Sequence, residues 1–66
     1  MIWVKDNITG VIYYTDKLDL RDVLEGMFDL AQDGVVSAID AVCDDPFDPS
    51  NYWAEDFLNI CIREEQ

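Results

Sequence analysis

The chain contains no histidine, and only Lys5, Lys17, Arg21 and Arg63 carry positive charge. Histidine is the commonest general base and metal ligand, and the only side chain whose ordinary pKa lies near neutrality. Its absence removes the usual acid–base catalyst and the usual pH switch. Cysteine is limited to Cys43 and Cys61. Two residues without metal-ligand spacing make neither a zinc site nor the multiple bridges of a small secreted domain. They are expected to be buried free thiols in a reducing compartment, with a Cys43–Cys61 disulfide as the alternative. No uncharged run approaches the roughly 20 residues that span a bilayer. The opening Met1-Ile2-Trp3-Val4-Lys5-Asp6 lacks a basic segment followed by a long apolar one, so no signal peptide is expected. The expected location is cytoplasmic. Internal repeats and low-complexity segments are also missing.

What is abundant is negative charge. Fifteen Asp and Glu against four Lys and Arg in 66 residues give a net charge of −11. That excludes direct binding to nucleic acid, itself a dense line of negative charge, and to anionic membrane surfaces. The expected partner is a basic surface. Hydrophobic residues still make up 50% of the chain, far too many for a disordered acidic tail. A single small acidic domain, residues 1–66, is expected. Its core is marginal, so monomer and homodimer are both open.

Two runs rich in β-branched and aromatic residues, 2–5 and 11–15, flank Asn7, Thr9 and Gly10 and predict a β-hairpin with a wide or bulged turn. From Asp19 to about Gln32, Leu20, Val23, Leu24, Met27, Leu30 and Ala31 recur at helical spacing. Asp19 is the expected cap and Gly34 the expected left-handed terminator. Gly26 lies inside, where close approach by another backbone would explain it. Val35 to Cys43 predicts a second short helix with Asp33 as cap, joined to the first by a very short connection. Asp44-Asp45-Pro46-Phe47-Asp48-Pro49 breaks it. Asp48 and Pro49 then suit the cap and first position of a new helix, with Trp53, Ala54, Phe57, Leu58, Ile60, Cys61 and Ile62 apolar and Glu55, Asp56, Asn59 and Arg63 polar. The alternation of Leu58, Ile60 and Ile62 also allows a strand at 57–63. The fold class is α+β: an N-terminal β-hairpin packed on two or three short helices (ββααα), with ββααβ as the alternative.

The sharpest pattern is a row of acids. Asp19, Asp22, Glu25, Asp29 and Asp33, on one continuous helix, would fall within an arc of about 120° with no basic residue among them. Neighbouring carboxylates would lie about 4.5–6 Å apart along the axis, a row comparable to a phosphate strand. Like charges at this spacing cost a helix a few tenths of a kcal/mol each. Asp40, Asp44, Asp45 and Asp48 add charge at the end of the second helix, where the dipole prefers cations. These nine are the candidate partner-binding residues. No catalytic residue, cofactor or metal is expected. Asp44, Asp48, Ser50 and Glu55 match four positions of a calcium loop, but Pro46 and Pro49 stand where the loop needs a ligand and a glycine. Trp3, Tyr13, Tyr14, Phe28, Phe47, Tyr52 and Trp53 are expected mostly to pack in or beside the core, with Phe28 and Tyr52 as candidate interface anchors.

In size, acidity and lack of a catalytic centre, the chain resembles the small DNA-mimic inhibitors of bacteriophages and mobile elements. These include anti-CRISPR, anti-restriction and uracil-glycosylase inhibitor proteins. The resemblance is compositional and covers the whole chain; no motif carries it. It implies a non-enzymatic inhibitor that occupies the basic nucleic-acid-binding surface of a host defence complex in the host cytoplasm, first of all a CRISPR effector complex. The alternatives are an acidic adaptor that binds another protein, such as RNA polymerase or a toxin, and a protein adapted to high salt.

Overall fold

A computed structural model describes residues 1–65. The order is β1 (Ile2–Asp6), β2 (Ile12–Thr15), α1 (Leu20–Met27), α2 (Val35–Asp44), a single 3-10 turn (Pro49–Asn51), α3 (Tyr52–Leu58) and β3 (Ile60–Glu64). The three strands form one antiparallel sheet in the order β2-β1-β3, so the chain is α+β.

The hairpin forms as its residues predict. Asp6 holds the turn: its Oδ1 accepts from the N–H of Ile8 at 2.8 Å, and its backbone carbonyl accepts from Gly10 at 2.7 Å. Gly10 takes φ 80°, the left-handed region that closes a bulged hairpin.

Alternation along the strands sorts the two sheet faces. Ile2, Val4, Ile60 and Ile62 point inward and are buried. With Leu20, Leu24, Val35, Ala38, Ile39, Val42, Ala54 and Leu58 they make a core without a single aromatic ring. The aromatic residues expected in the core are mostly outside it. Tyr13, Tyr14, Phe47, Tyr52 and Trp53 are exposed, and only Phe28 packs against the core from its margin. Pattern explains this: Trp3 and Tyr14 sit at outward positions of the strands. Tyr52 and Trp53 lie on α3 away from its buried Ala54 and Leu58, and Phe57 lies at the border with its ring beside Gly34.

The first helix is shorter than its periodicity suggests. It ends at Met27, where Phe28 turns extended. The Asp29 carboxylate then accepts from the N–H of Ala31 at 2.9 Å, a local turn that competes with helix continuation. Leu30 and Ala31, expected on the apolar stripe, are exposed in this connection. The link between α1 and α2 is therefore residues 28–34 rather than a tight corner. Gly34 is left-handed as expected (φ 83°), but it opens α2 instead of closing α1. It displaces Asp33 from the cap position.

The C-terminal segment contains both of its alternatives in succession. Helix α3 stops at Leu58, Asn59 takes a left-handed φ of 56°, and β3 begins at Ile60. Asparagine tolerates that conformation better than most side chains. It switches the burial period from four (Ala54, Leu58) to two (Ile60, Ile62).

Candidate acidic interface

All nine candidate acids are exposed, and none belongs to the sheet. Their arrangement differs from the expected single row. Asp22 and Glu25 lie on α1, with Asp19 at its start. Asp29 and Asp33 are in the connection that follows, because the helix has already ended. Asp40 and Asp44 lie on α2, and Asp45 and Asp48 lie beyond it.

The two helices pack through the shared core, and one cation bridges them at the surface. Arg21 Nη1 donates to Asp40 Oδ1 at 2.6 Å. This joins the first turn of α1 to the exposed side of α2 and leaves Glu25 close to Arg21 and Cys43. Neighbouring acids along each helix are spaced about 4.5–6 Å by the helical rise. The Asp40 hydrogen bond raises the Arg21 pKa still further above its ordinary value. Asp40 is thus neutralised within the fold. Cys43 feels Arg21, Asp40 and Glu25, but partial burial dominates and pushes its thiol up. Both cysteines are free and half-buried, which corrects the expectation of full burial and sets aside the disulfide.

Three more of the nine hold turns. Asp29 bonds the Ala31 N–H, Asp45 that of Phe47 at 3.1 Å, and Asp48 that of Ser50 at 2.9 Å. The Ser50 bond holds the Asp48 carboxyl below the usual aspartate range. Asp48 is the side-chain cap expected from the Asp48-Pro49 pair. Asp19 occupies the cap position of α1 without a side-chain bond; its own N–H instead donates to Asp16 Oδ1 at 2.8 Å. Asp16 was missed in the sequence because a carboxylate three residues before the cap Asp19 reads as ordinary loop polarity. Asp19, Asp22, Glu25, Asp33 and Asp44 accept no side-chain hydrogen bond among the described residues. They are the acids whose only visible role is charge.

The calcium template is not assembled, since Asp48 bonds Ser50 and Glu55 turns away to β3. Glu55 Oε1 accepts from the N–H of Ile62 at 2.9 Å, and Arg63 Nη1 donates to the Ile62 carbonyl at 2.6 Å. A shallow groove between α3 and β3 is lined by Asn7, Tyr52, Asp56, Asn59 and Arg63. The outer sheet face carries Trp3, Lys5, Ile12, Tyr14, Cys61 and Arg63 in register, with no acid among them. Among the described residues, no helix is long and apolar enough to cross a membrane. No protein-family model, curated protein or solved structure matches the chain.

Proposed function

We propose that this protein is a non-enzymatic inhibitor that occupies the basic nucleic-acid-binding surface of a host defence complex, foremost a CRISPR effector complex, by DNA mimicry. The supporting observation is the packed pair of helices α1 and α2, whose acids are all exposed and among which Arg21 is the one cation. Such a surface attracts a Lys- and Arg-lined channel through the same long-range field that steers the channel's own nucleic acid. No reaction is required, only competition. Binding weakens with salt, because attraction between exposed charges is screened within about 10 Å at 0.1 M.

The test is capture of a target from host lysate with and without competing DNA. Recovery of a nucleic-acid-binding complex only when DNA is absent supports mimicry. The combined variant Asp22→Asn, Glu25→Gln, Asp44→Asn changes charge but touches no turn or ion pair. Capture that survives this variant unchanged defeats the reading.

A second reading rests on α3. Tyr52 and Trp53 are exposed large aromatics on α3, and aromatic residues are the usual anchors of protein interfaces. An acidic adaptor would bind through these residues with little salt dependence. It would lose its partner on Trp53→Ala.

A further inference from the structure

The two edges of the sheet are treated differently. At β3 the outward groups of Ile62 are both engaged, its N–H by Glu55 and its carbonyl by Arg63. Side chains thus close that edge at Ile62, in the middle of the strand, as natural sheets commonly do against stray pairing. At β2 nothing comparable occurs. Three bonds fix the phase of the ladder: Asp6 N–H to the Val11 carbonyl at 2.9 Å, Asn7 to Asn59 at 3.1 Å and Glu65 to Met1 at 2.9 Å. Alternation then turns the main chain of Val11, Tyr13 and Thr15 toward β1, and that of Ile12 and Tyr14 outward. Among the described residues, no loop or side chain bonds the N–H or carbonyl of Ile12 or Tyr14.

This open edge is also the least charged part of a strongly charged chain. Residues 7–15 are the longest uncharged run in the sequence. The edge lacks the lysine, proline or inward charge that protects such strands elsewhere. Tyr14 is 60% and Ile12 45% exposed, and beyond the strand Ile8 and Leu18 reach 77% and 91%.

We infer that β2 is the seam of a two-fold dimer, in which a second copy of this chain adds its own β2 antiparallel to the first. The strand is complementary to itself about Tyr13. Ile12 then opposes Tyr14 of the partner subunit, and each such pair exchanges both of its N–H···O=C bonds. An aliphatic–aromatic cross-strand pair of this kind is favourable. Val11 opposes Thr15 of the partner subunit, and no charged residue lies within the paired strands Ile12–Thr15. Ile8 and Leu18 lie equally far from Tyr13, five positions before it and five after. Both lie in turns outside the strand, Ile8 in the hairpin turn and Leu18 in the turn that precedes α1. The product is a continuous six-stranded sheet, twice the three strands of one copy, whose exposed edges are the two closed β3 strands. The inference does not depend on the inhibitory role.

Sedimentation equilibrium of the full chain at low and high NaCl tests it, with amide hydrogen exchange as the residue-level readout. The expected mass is twice 7.6 kDa, and association tightens with salt because both copies carry −11. Exchange at the Ile12 and Tyr14 amides slows as protein concentration rises. Ile12→Lys puts a charge on the seam, and Tyr14→Pro removes an outward N–H that the monomer does not use. Each is expected to weaken association about tenfold or more, equivalent to 1.4 kcal/mol; because Ile12→Lys also faces Lys5 across the hairpin, melting of each variant at low concentration checks that the monomer is folded. A chain that stays monomeric up to about 1 mM at high salt overturns the proposal. So does a dimer indifferent to Ile12→Lys, or one whose Ile12 and Tyr14 amides gain no protection. Pairing instead with a basic extended segment of another protein would weaken as salt rises, and that sign also overturns it. If Tyr14→Pro fails to fold, Ile12→Lys and the exchange data decide.

Discussion

Gly26 sits within α1 with open space where a Cβ would go, since no neighbouring atom comes within 4 Å. The close backbone approach that would explain a helical glycine is absent. Gly26→Ala is therefore expected to stabilise the fold by about 0.5–1 kcal/mol, through helix propensity and the unfolded chain. A urea midpoint that moves upward checks this. Gly34 is the opposite case. Its φ is 83°, and a Cβ there would stand 2.9 Å from the Phe57 ring. Gly34→Ala combines left-handed strain of about 1–2 kcal/mol with displacement of that ring, so thermal unfolding should move down. Asp48 supplies a pH effect. Its folded pKa is depressed, so its contribution to stability is present above the ordinary aspartate pKa and is lost as pH falls through the folded value. Carbon NMR should find this carboxyl titrating below the ordinary aspartate range. Asp48→Asn, which keeps a capping oxygen, should remove that part of the acid dependence without removing the cap.

At the scale of elements, some boundaries are written in the sequence and others are not. The hairpin is legible because Asn7, Thr9 and Gly10 separate two β-rich runs. The start at Asp48-Pro49 is legible because a cap and a proline have fixed places in a helix. The end of α1 is not. Leu30 and Ala31 continue the helical spacing, and only the turn built by Asp29 reveals that the chain has left the helix. The C-terminal segment is ambiguous for a similar reason: Leu58, Ile60 and Ile62 satisfy either period until Asn59 is seen at φ 56°. The acidic pattern was legible as abundance and exposure, but not as geometry. Of the five acids assigned to one helix, Asp29 and Asp33 lie beyond the end of α1 and Asp19 only precedes it, and Asp40 is already paired. Side-chain jobs across elements are the least visible. Glu55 on α3 serves β3 by accepting from Ile62. Glu55→Ala leaves that partly buried N–H without its partner, at a cost of about 1–3 kcal/mol. Glu55→Gln retains an acceptor and should recover much of it. Amide exchange at Ile62 distinguishes the two variants.

For the molecule as a whole, the charge of −11 acts on folding and on binding with opposite signs. Crowding carboxylates into a small volume destabilises the compact state by self-repulsion. The ion pairs Arg21–Asp40 and Arg63–Glu55 are too few to offset it. Added NaCl should therefore raise the melting temperature while it weakens capture by a basic target. A parallel salt titration of unfolding and of binding reads both slopes. A melting temperature that falls with salt would mean that the ion pairs outweigh the repulsion.

The place of β1 in the sheet also has a consequence for the timing of synthesis. The first strand made is the central one, and it is completed on one side by β2 and on the other by the last strand made. Val4 finds Tyr13 within nine positions but waits for Ile62, 58 positions later (62 − 4 = 58). During synthesis the hairpin is left with a bare inner strand until the end of this segment has been translated. A two-stranded hairpin is only marginally stable by itself. Folding of this segment is thus expected as a single event after β3 emerges, not as a build-up of stable pieces along the way.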